Sequence, residues 1–134
     1  GCNFNCSHTD ISSLEGAPEN VRLDFNCSHT DIESLYGAPE EVGGDFDCSH
    51  TPISSLEGAP KQVYSLFNCS HTSISSLKGA PEYVVDFNCS YTDISSLEGA
   101  PKQVGWKFDC RYCETNFTED DIRMVTNVEG EILI

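Results

Sequence analysis

A cysteine recurs at an almost constant interval along most of this 134-residue chain. The intervals between successive members of the series are 21, 21, 21, 20 and 21 residues. A fixed period of this length is typical of a solenoid, in which each repeat forms one coil stacked on the last. The series consists of Cys6, Cys27, Cys48, Cys69, Cys89 and Cys110. We expect these six to form one column through the core, with Cys2 and Cys113 outside it.

The residues around each cysteine follow the pattern V-(x)2–3-F-x-C-x-x-T-x-I-x-x-L-x-G-A-P-x-x-V, as in the unit VGGDFDCSHTPISSLEGAP. Phe and Cys alternate with a period of two, which predicts a short strand with both side chains on one face. Each unit then adds one strand to a parallel sheet. An apolar share of 38% suits the narrow core that such stacking creates.

The segment that returns from one strand to the next carries Gly-Ala-Pro in five units. Proline removes a backbone donor and keeps the preceding residue out of the helical region. A unit of this length also leaves no room for a helix, so the pattern predicts an extended, polyproline-like convex side. We expect the Thr of each unit to hydrogen-bond the backbone at the turn after the strand.

The C-terminal part of the chain departs from the repeat. Thr118, followed by three acidic residues, predicts a helix start, and Ile122, Met124 and Val125 are candidates for its buried face. The sequence therefore predicts about six solenoid units over residues 1–113. A small α+β cap, a short helix plus a terminal strand, is expected over 114–134.

The repeat resembles the leucine-rich-repeat template L-x-x-L-x-L-x-x-N/C-x-L, with Thr where the family usually has Asn. The return I-S-S-L-E-G-A-P-K-Q-V is similar to that of short repeats in effectors secreted by enteric bacteria. The pattern F-x-C-S-x-x-x-I/L-x-S-L-x-G-A-P is closer still to repeat proteins of tailed bacteriophages. The resemblance implies parallel strands on a concave face that serves as a scaffold for partners. The ligase domain of some secreted effectors has no counterpart here, so that activity is not expected.

The outward positions beside Phe and Cys form the candidate binding face. They carry mostly acidic and amide side chains in the middle of the sheet, with Ser following Cys. Aromatic residues and an arginine, which are common at interface hot spots, lie in the last two units. The predicted partner-binding residues are Asp24, Asp45, Asp47, Leu66, Asp86, Tyr91, Trp106, Asp109, Arg111 and Tyr112. An alternative for Trp106 is that it packs beneath the C-terminal cap.

A formal net charge of −15 argues against nucleic acid and anionic membrane surfaces as partners. It favours a protein partner with a basic surface, and no apolar run is long enough for a membrane span. The sequence therefore predicts a non-enzymatic protein-interaction module. Two alternatives remain open: a bacteriophage-encoded inhibitor of a host defence enzyme, and a structural component of a viral assembly or fibre. End-to-end self-association through an uncapped first unit is a further expectation.

Other recurring polar residues are expected to be structural. The cysteine column predicts small buried side chains and favours a reducing cytoplasm, that of a bacterial host cell if the chain is phage-encoded. A single Cys110-x-x-Cys113 pair is a weak metal signal, and the His column is expected to line the strand edge. No cofactor, metal site or catalytic residue is predicted. The His column comprises His8, His29, His50 and His71, continued by Tyr91 and Tyr112.

Overall fold

The computed structural model describes residues 2–134, and within this range the chain forms a parallel β-solenoid of about six turns with one short helix. This confirms the prediction of a repeat solenoid built from short parallel strands. The elements in chain order are β1 (Phe4–Asn5), β2 (Phe25–Asn26), β3 (Glu41–Val42), β4 (Phe46–Asp47), β5 (Gln62–Asn68), β6 (Tyr83–Asn88), β7 (Gln103–Asp109), α1 (Glu119–Val125), β8 (Asn127–Val128) and β9 (Ile132–Leu133).

All strands belong to one sheet, in which corresponding residues of successive units face each other. One ladder joins the Phe positions through β1, β2, β4 and the later halves of β5, β6 and β7. A second ladder joins the Val positions from β3 to β8. The 20-residue unit has one residue fewer between Val84 and Phe87, and the register shifts on both sides of it. The irregular cysteine interval is therefore absorbed as a shift of strand register.

The core consists of five stacked columns, one each of Val, Phe, Cys, Ile and Leu. Their side chains are almost completely buried in the inner coils. The Phe rings of neighbouring inner coils lie 5.1–5.5 Å apart between centroids. This spacing follows from the distance between adjacent strands in a sheet, and it brings identical side chains of neighbouring coils into contact. In the first coil, Phe4 and Cys6 are only partly buried, because a neighbouring coil covers them on one side.

The return segments contain no helix within the described residues, as the Gly-Ala-Pro pattern predicts. In the second unit, the backbone N–H of Ala38 donates to the Leu35 carbonyl at 3.0 Å and closes a tight turn. Gly37 lies inside this turn at φ +100°, and a Cβ there would lie 2.6 Å from the Leu14 carbonyl oxygen. The turn therefore needs glycine for both its conformation and its close approach to the preceding coil.

The C-terminal segment closes the last coil. Thr118 caps α1, accepting the N–H of Asp121, and the Asp121 carboxylate accepts the Thr118 N–H in return. Strands β8 and β9 both pair with β7. Ile122 is buried as predicted, but the prediction for Met124 and Val125 is wrong, since both are exposed. The short helix buries the face marked by Ile122 and, four residues on, Thr126.

Candidate interaction surface

The outward side of the sheet, which we call the strand face, carries two polar columns. The first column lies just before the buried Phe residues and the second lies between Phe and Cys. The first column comprises Asn3, Asp24, Asp45, Leu66, Asp86 and Lys107. The second comprises Asn5, Asn26, Asp47, Asn68, Asn88 and Asp109. The positions predicted from the repeat are therefore aligned along one side of the molecule.

The acids of the first column also hold the coils together. Asp24 Oδ1 accepts the backbone N–H of Asp45 at 3.0 Å, and Asp45 Oδ1 accepts that of Leu66 at 3.0 Å. Asp86 Oδ1 accepts the N–H of Lys107 at 3.0 Å. Each carboxylate thus uses one oxygen to bridge to the next coil. Within the described residues, the second oxygen of each makes no further hydrogen bond.

The second column forms a tight turn in every coil. Asn68 Oδ1 accepts both the backbone N–H of Ser70 at 3.1 Å and its hydroxyl at 2.8 Å. Asp47 and Ser49 repeat the arrangement at 2.9 and 2.6 Å. This is an Asx turn, and it buries the serine side chains of the inner coils. The Ser column was expected to be part of the exposed face, but it is covered, because each hydroxyl bonds back to the column beside it.

The last coil changes this arrangement and removes one predicted binding residue from the surface. Arg111 replaces Ser, and its guanidinium binds the Asp109 carboxylate with Nε at 3.0 Å and Nη2 at 2.7 Å. Asp109 is only 4% exposed as a result. The ion pair raises the pKa of Arg111. The prediction that Asp109 belongs to an open acidic face is corrected, since its charge is paired and covered.

Beyond the cysteines lies a stack of aromatic rings, which we call the aromatic column. Successive rings are 4.3–4.5 Å apart. Its members are His8, His29, His50, His71, Tyr91 and Tyr112, all with φ between 53° and 57°. Burial lowers the pKa of His50, and the neighbouring His71 and His29 lower it further, while Asp47 opposes the shift. The sequence predicted that these residues line the edge of the strands, but it did not predict the left-handed backbone conformation that aligns their rings.

Large aromatic side chains are exposed at the last two coils. Trp106 is 59% exposed, Tyr91 49% and Tyr112 69%. The Trp106 ring passes close to Gly130 in the cap, where a Cβ would come within 2.8 Å of a ring carbon. The cap touches this ring without covering it, so the alternative that Trp106 packs beneath the cap is wrong. Leu66 contributes a smaller, half-buried apolar patch to the first column.

The cysteine column is structural in the inner coils. Cys48 Sγ donates to the carbonyl of Asn68 at 3.4 Å, and Cys69 Sγ donates to that of Asn88 at 3.3 Å. Burial raises the pKa of both thiols. The threonine prediction is also confirmed, since Thr72 Oγ1 donates to the Cys69 carbonyl at 2.7 Å. Within residues 2–134, no three or more His, Cys, Asp or Glu side chains are grouped as a metal ion would require.

The strand face therefore brings together only some of the predicted partner-binding residues. Asp24, Asp45, Asp47 and Asp86 share the strand face. Asx turns could have been read from the recurring Asn/Asp-Cys-Ser sequence, because an Asx side chain commonly bonds the residue two positions on. The bonds from the acids to the next coil join residues 21 apart and have no local signal.

Comparison with known proteins identifies no relative of this chain. No protein-family model matches the chain, and no curated protein or solved structure does so either.

Over the described residues, the single helix is too short and too polar to cross a membrane.

Proposed function

We propose that this chain is a leucine-rich-repeat type protein that binds a basic protein partner through its strand face and catalyses no reaction. The observation that carries the proposal is a row of aligned carboxylates on the same solenoid that exposes Trp106, Tyr91 and Tyr112. Rows of this kind suit the recognition of Lys and Arg side chains, which carry several donors each.

The acids are held in place before any partner arrives. Asp24, Asp45 and Asp86 are each fixed by a backbone N–H from the next coil, which leaves one oxygen of each for a partner. Fixing a side chain in advance lowers the conformational entropy lost on binding. Surface charges of one sign also speed the encounter with a partner of the opposite sign. The first column therefore supports both selectivity for a basic surface and rapid association.

The exposed aromatic residues supply the apolar part of the surface. Tyr and Trp contribute large contact areas at little conformational cost and are enriched among interface hot spots. Tyr91 and Tyr112 are held by stacking at 4.5 Å, and Tyr91 also stacks on His71. Packing within the chain gives no reason for these two tyrosine rings to be exposed. We place the strongest contacts of the partner at this C-terminal end of the solenoid.

The proposal includes a reducing compartment such as the cytoplasm. The buried column uses its thiols as hydrogen-bond donors to carbonyl oxygens of the next coil, as Cys27 does to Asp47 at 3.4 Å. A thiol used in this way must carry its proton. Burial keeps it there by raising the pKa of Cys27. Compartments that keep thiols reduced preserve this column.

Affinity capture followed by calorimetry tests the proposal. A partner captured from cells of the source organism is purified and titrated against the wild type and against the triple variant Asp24→Asn, Asp45→Asn, Asp86→Asn. Asn keeps a side-chain oxygen for the next coil's N–H, as Asn3 does for Asp24 at 3.1 Å. We expect a loss of affinity of about tenfold or more, with a weaker dependence on salt.

The matched control removes the same three negative charges from the return turns. The triple variant Glu15→Gln, Glu57→Gln, Glu98→Gln changes exposed side chains away from the strand face. We expect it to bind the partner as the wild type does. Equal losses in both triple variants would assign the attraction to overall charge, and no loss in the Asn variant would remove the first column from the interface.

A further inference from the structure

The last coil of the solenoid places a thiol at a position where the repeat pattern has threonine, close to two members of the cysteine column. Cys113 stands where the preceding coil has Thr92. Thr92 donates its hydroxyl to the Cys89 carbonyl in its own coil at 2.7 Å. Cys113 instead reaches back to the preceding coil: its thiol donates to the Cys89 carbonyl at 3.4 Å and lies 3.5 Å from Thr92 Oγ1. The substitution thus brings a second thiol beside the end of the cysteine column.

Cys110 is the partner that this arrangement offers. Its thiol lies near enough to that of Cys113 for each to shift the pKa of the other. The earlier members of the column donate to a carbonyl of the following coil, as Cys89 does to Asp109 at 3.4 Å. For Cys110 the described residues give no such carbonyl bond. The Cys110 thiol is therefore not tied to a backbone acceptor as the earlier members of the column are.

The backbone between them suits a disulfide. A turn at Arg111 and Tyr112 connects Cys110 to Cys113. The ends of a four-residue turn lie less than about 7 Å apart at Cα. Disulfides span about 4.4–6.8 Å between Cα atoms, so bond formation requires little movement of the chain.

Access differs between the two thiols in the way an exchange reaction requires. Cys113 is half-buried, whereas Cys110 is almost completely covered. The neighbouring Cys110 and Cys89 side chains lower the pKa of Cys113, and Cys113 in turn raises the pKa of Cys110. The more accessible sulfur is therefore also the better source of thiolate, which is the attacking species in thiol–disulfide exchange.

We propose that Cys110 and Cys113 form a redox-active dithiol that reacts with small-molecule disulfides. Cys113 thiolate attacks one sulfur of the disulfide, forms a mixed disulfide and releases the other half as a thiolate. Cys110 then gives its proton to the released thiolate, attacks the Cys113 sulfur and expels the second half as a thiolate, which takes up the proton that Cys113 had lost. Two protein thiols are oxidised to one disulfide, and the small disulfide is reduced to two thiols. The bond closes the last turn beneath the C-terminal cap.

Peptide mapping gives a direct test in the full chain with glutathione disulfide as the probe. The exposed Cys2 is replaced by Ser in all samples, and free thiols are then alkylated before trypsin digestion. Trypsin cuts after Lys107, Arg111 and Arg123, so Cys110 and Cys113 fall in separate peptides, 108–111 and 112–123. We expect these two peptides to appear joined and lighter by two hydrogen atoms, while Cys48 and Cys69 remain alkylated.

Two variants separate the steps. Cys113→Thr restores the residue of the preceding coils, so we expect it to fold and to lose the linked peptide entirely. Cys110→Ala removes the resolving thiol, and we expect Cys113 to accumulate as the mixed disulfide with glutathione. The proposal is overturned if wild-type protein carries only that mixed disulfide, if Cys113 links mainly to Cys89, or if neither thiol reacts.

Discussion

The Asp45 carboxylate accepts the backbone N–H of Leu66, one coil further along the solenoid, at 3.0 Å. The same contact recurs between Asp24 and Asp45 and between Asp86 and Lys107. Residues that the sequence marks as candidates for binding thus also satisfy the backbone of the sheet. A charge reversal at these positions would disturb folding and binding together, so variants of the strand face need to retain an acceptor.

Two substitutions at Asp45 separate its roles. We expect Asp45→Ala to lower the free energy of unfolding by about 1–2 kcal/mol, because the Leu66 N–H loses its acceptor in a partly buried site. Asp45→Asn keeps a side-chain oxygen beside the Leu66 N–H, and we expect it to change the free energy of unfolding by less than about 0.5 kcal/mol. Urea unfolding followed by circular dichroism measures both. Equal effects would show that the hydrogen bond contributes nothing.

The return turns provide a matched pair of glycines. Gly16 and Gly58 both have positive φ, 85° and 90°. A Cβ at Gly16 meets nothing within 4 Å, whereas at Gly58 it would lie 2.6 Å from the Tyr36 backbone nitrogen. We expect Gly16→Ala to cost about 1–2 kcal/mol from backbone strain alone. Gly58→Ala should cost at least about 1 kcal/mol more, because neighbouring coils must separate. Thermal unfolding of the two variants compares them, and similar midpoints would contradict the close approach.

We expect His50 of the aromatic column to make the stability depend on pH. Burial, His71 and His29 lower the pKa of His50 in the folded chain, and Asp47 only partly offsets them. The folded state therefore binds fewer protons than the unfolded state near the ordinary histidine pKa of about 6.5. The stability that depends on neutral His50 is therefore complete above the ordinary histidine pKa, and it is lost as the pH falls below that value. Carbon–proton NMR titration should give His50 a pKa below that of a histidine in an unfolded peptide.

The corresponding control is His50→Asn, which removes the titrating ring and tolerates the left-handed backbone. Urea unfolding at about pH 7.5 and about pH 5.5 should show a smaller loss of stability in acid for this variant than for the wild type. An identical loss in both proteins would assign the acid sensitivity to groups other than His50.

We expect the Thr118 cap of α1 to affect how well the backbone amides of the last coil are protected from hydrogen exchange. We expect Thr118→Ala to cost about 1 kcal/mol, because it removes the acceptor for the Asp121 N–H. Thr118→Ser should retain most of the stability. Hydrogen exchange at the Phe108 and Cys110 amides, which donate to Glu131 and Leu133 at 2.9 Å, reports on the pairing of β7 with β9. Unchanged exchange in the Ala variant would mean that β9 is held independently of α1.

The repeat pattern was sufficient for much of the fold. The cysteine period and the alternation of Phe and Cys predicted the parallel solenoid, its core columns and the helix-free returns, all of which are observed. These features follow from local periodicity, because side-chain alternation and proline restrictions act over a few residues. The capping Thr118 could be predicted for the same reason.

Several features of the surface differ from the expectations. The serine side chains are buried and Met124 is exposed. Asp109 is paired with Arg111, two residues away. The aromatic stack depends on a left-handed residue in each coil and on rings 4.3–4.5 Å apart. The sequence by itself determined which residues face inward, because period and hydrophobicity are local. The tertiary structure decided which carboxylates also bind the next coil, because those hydrogen bonds join residues 21 apart.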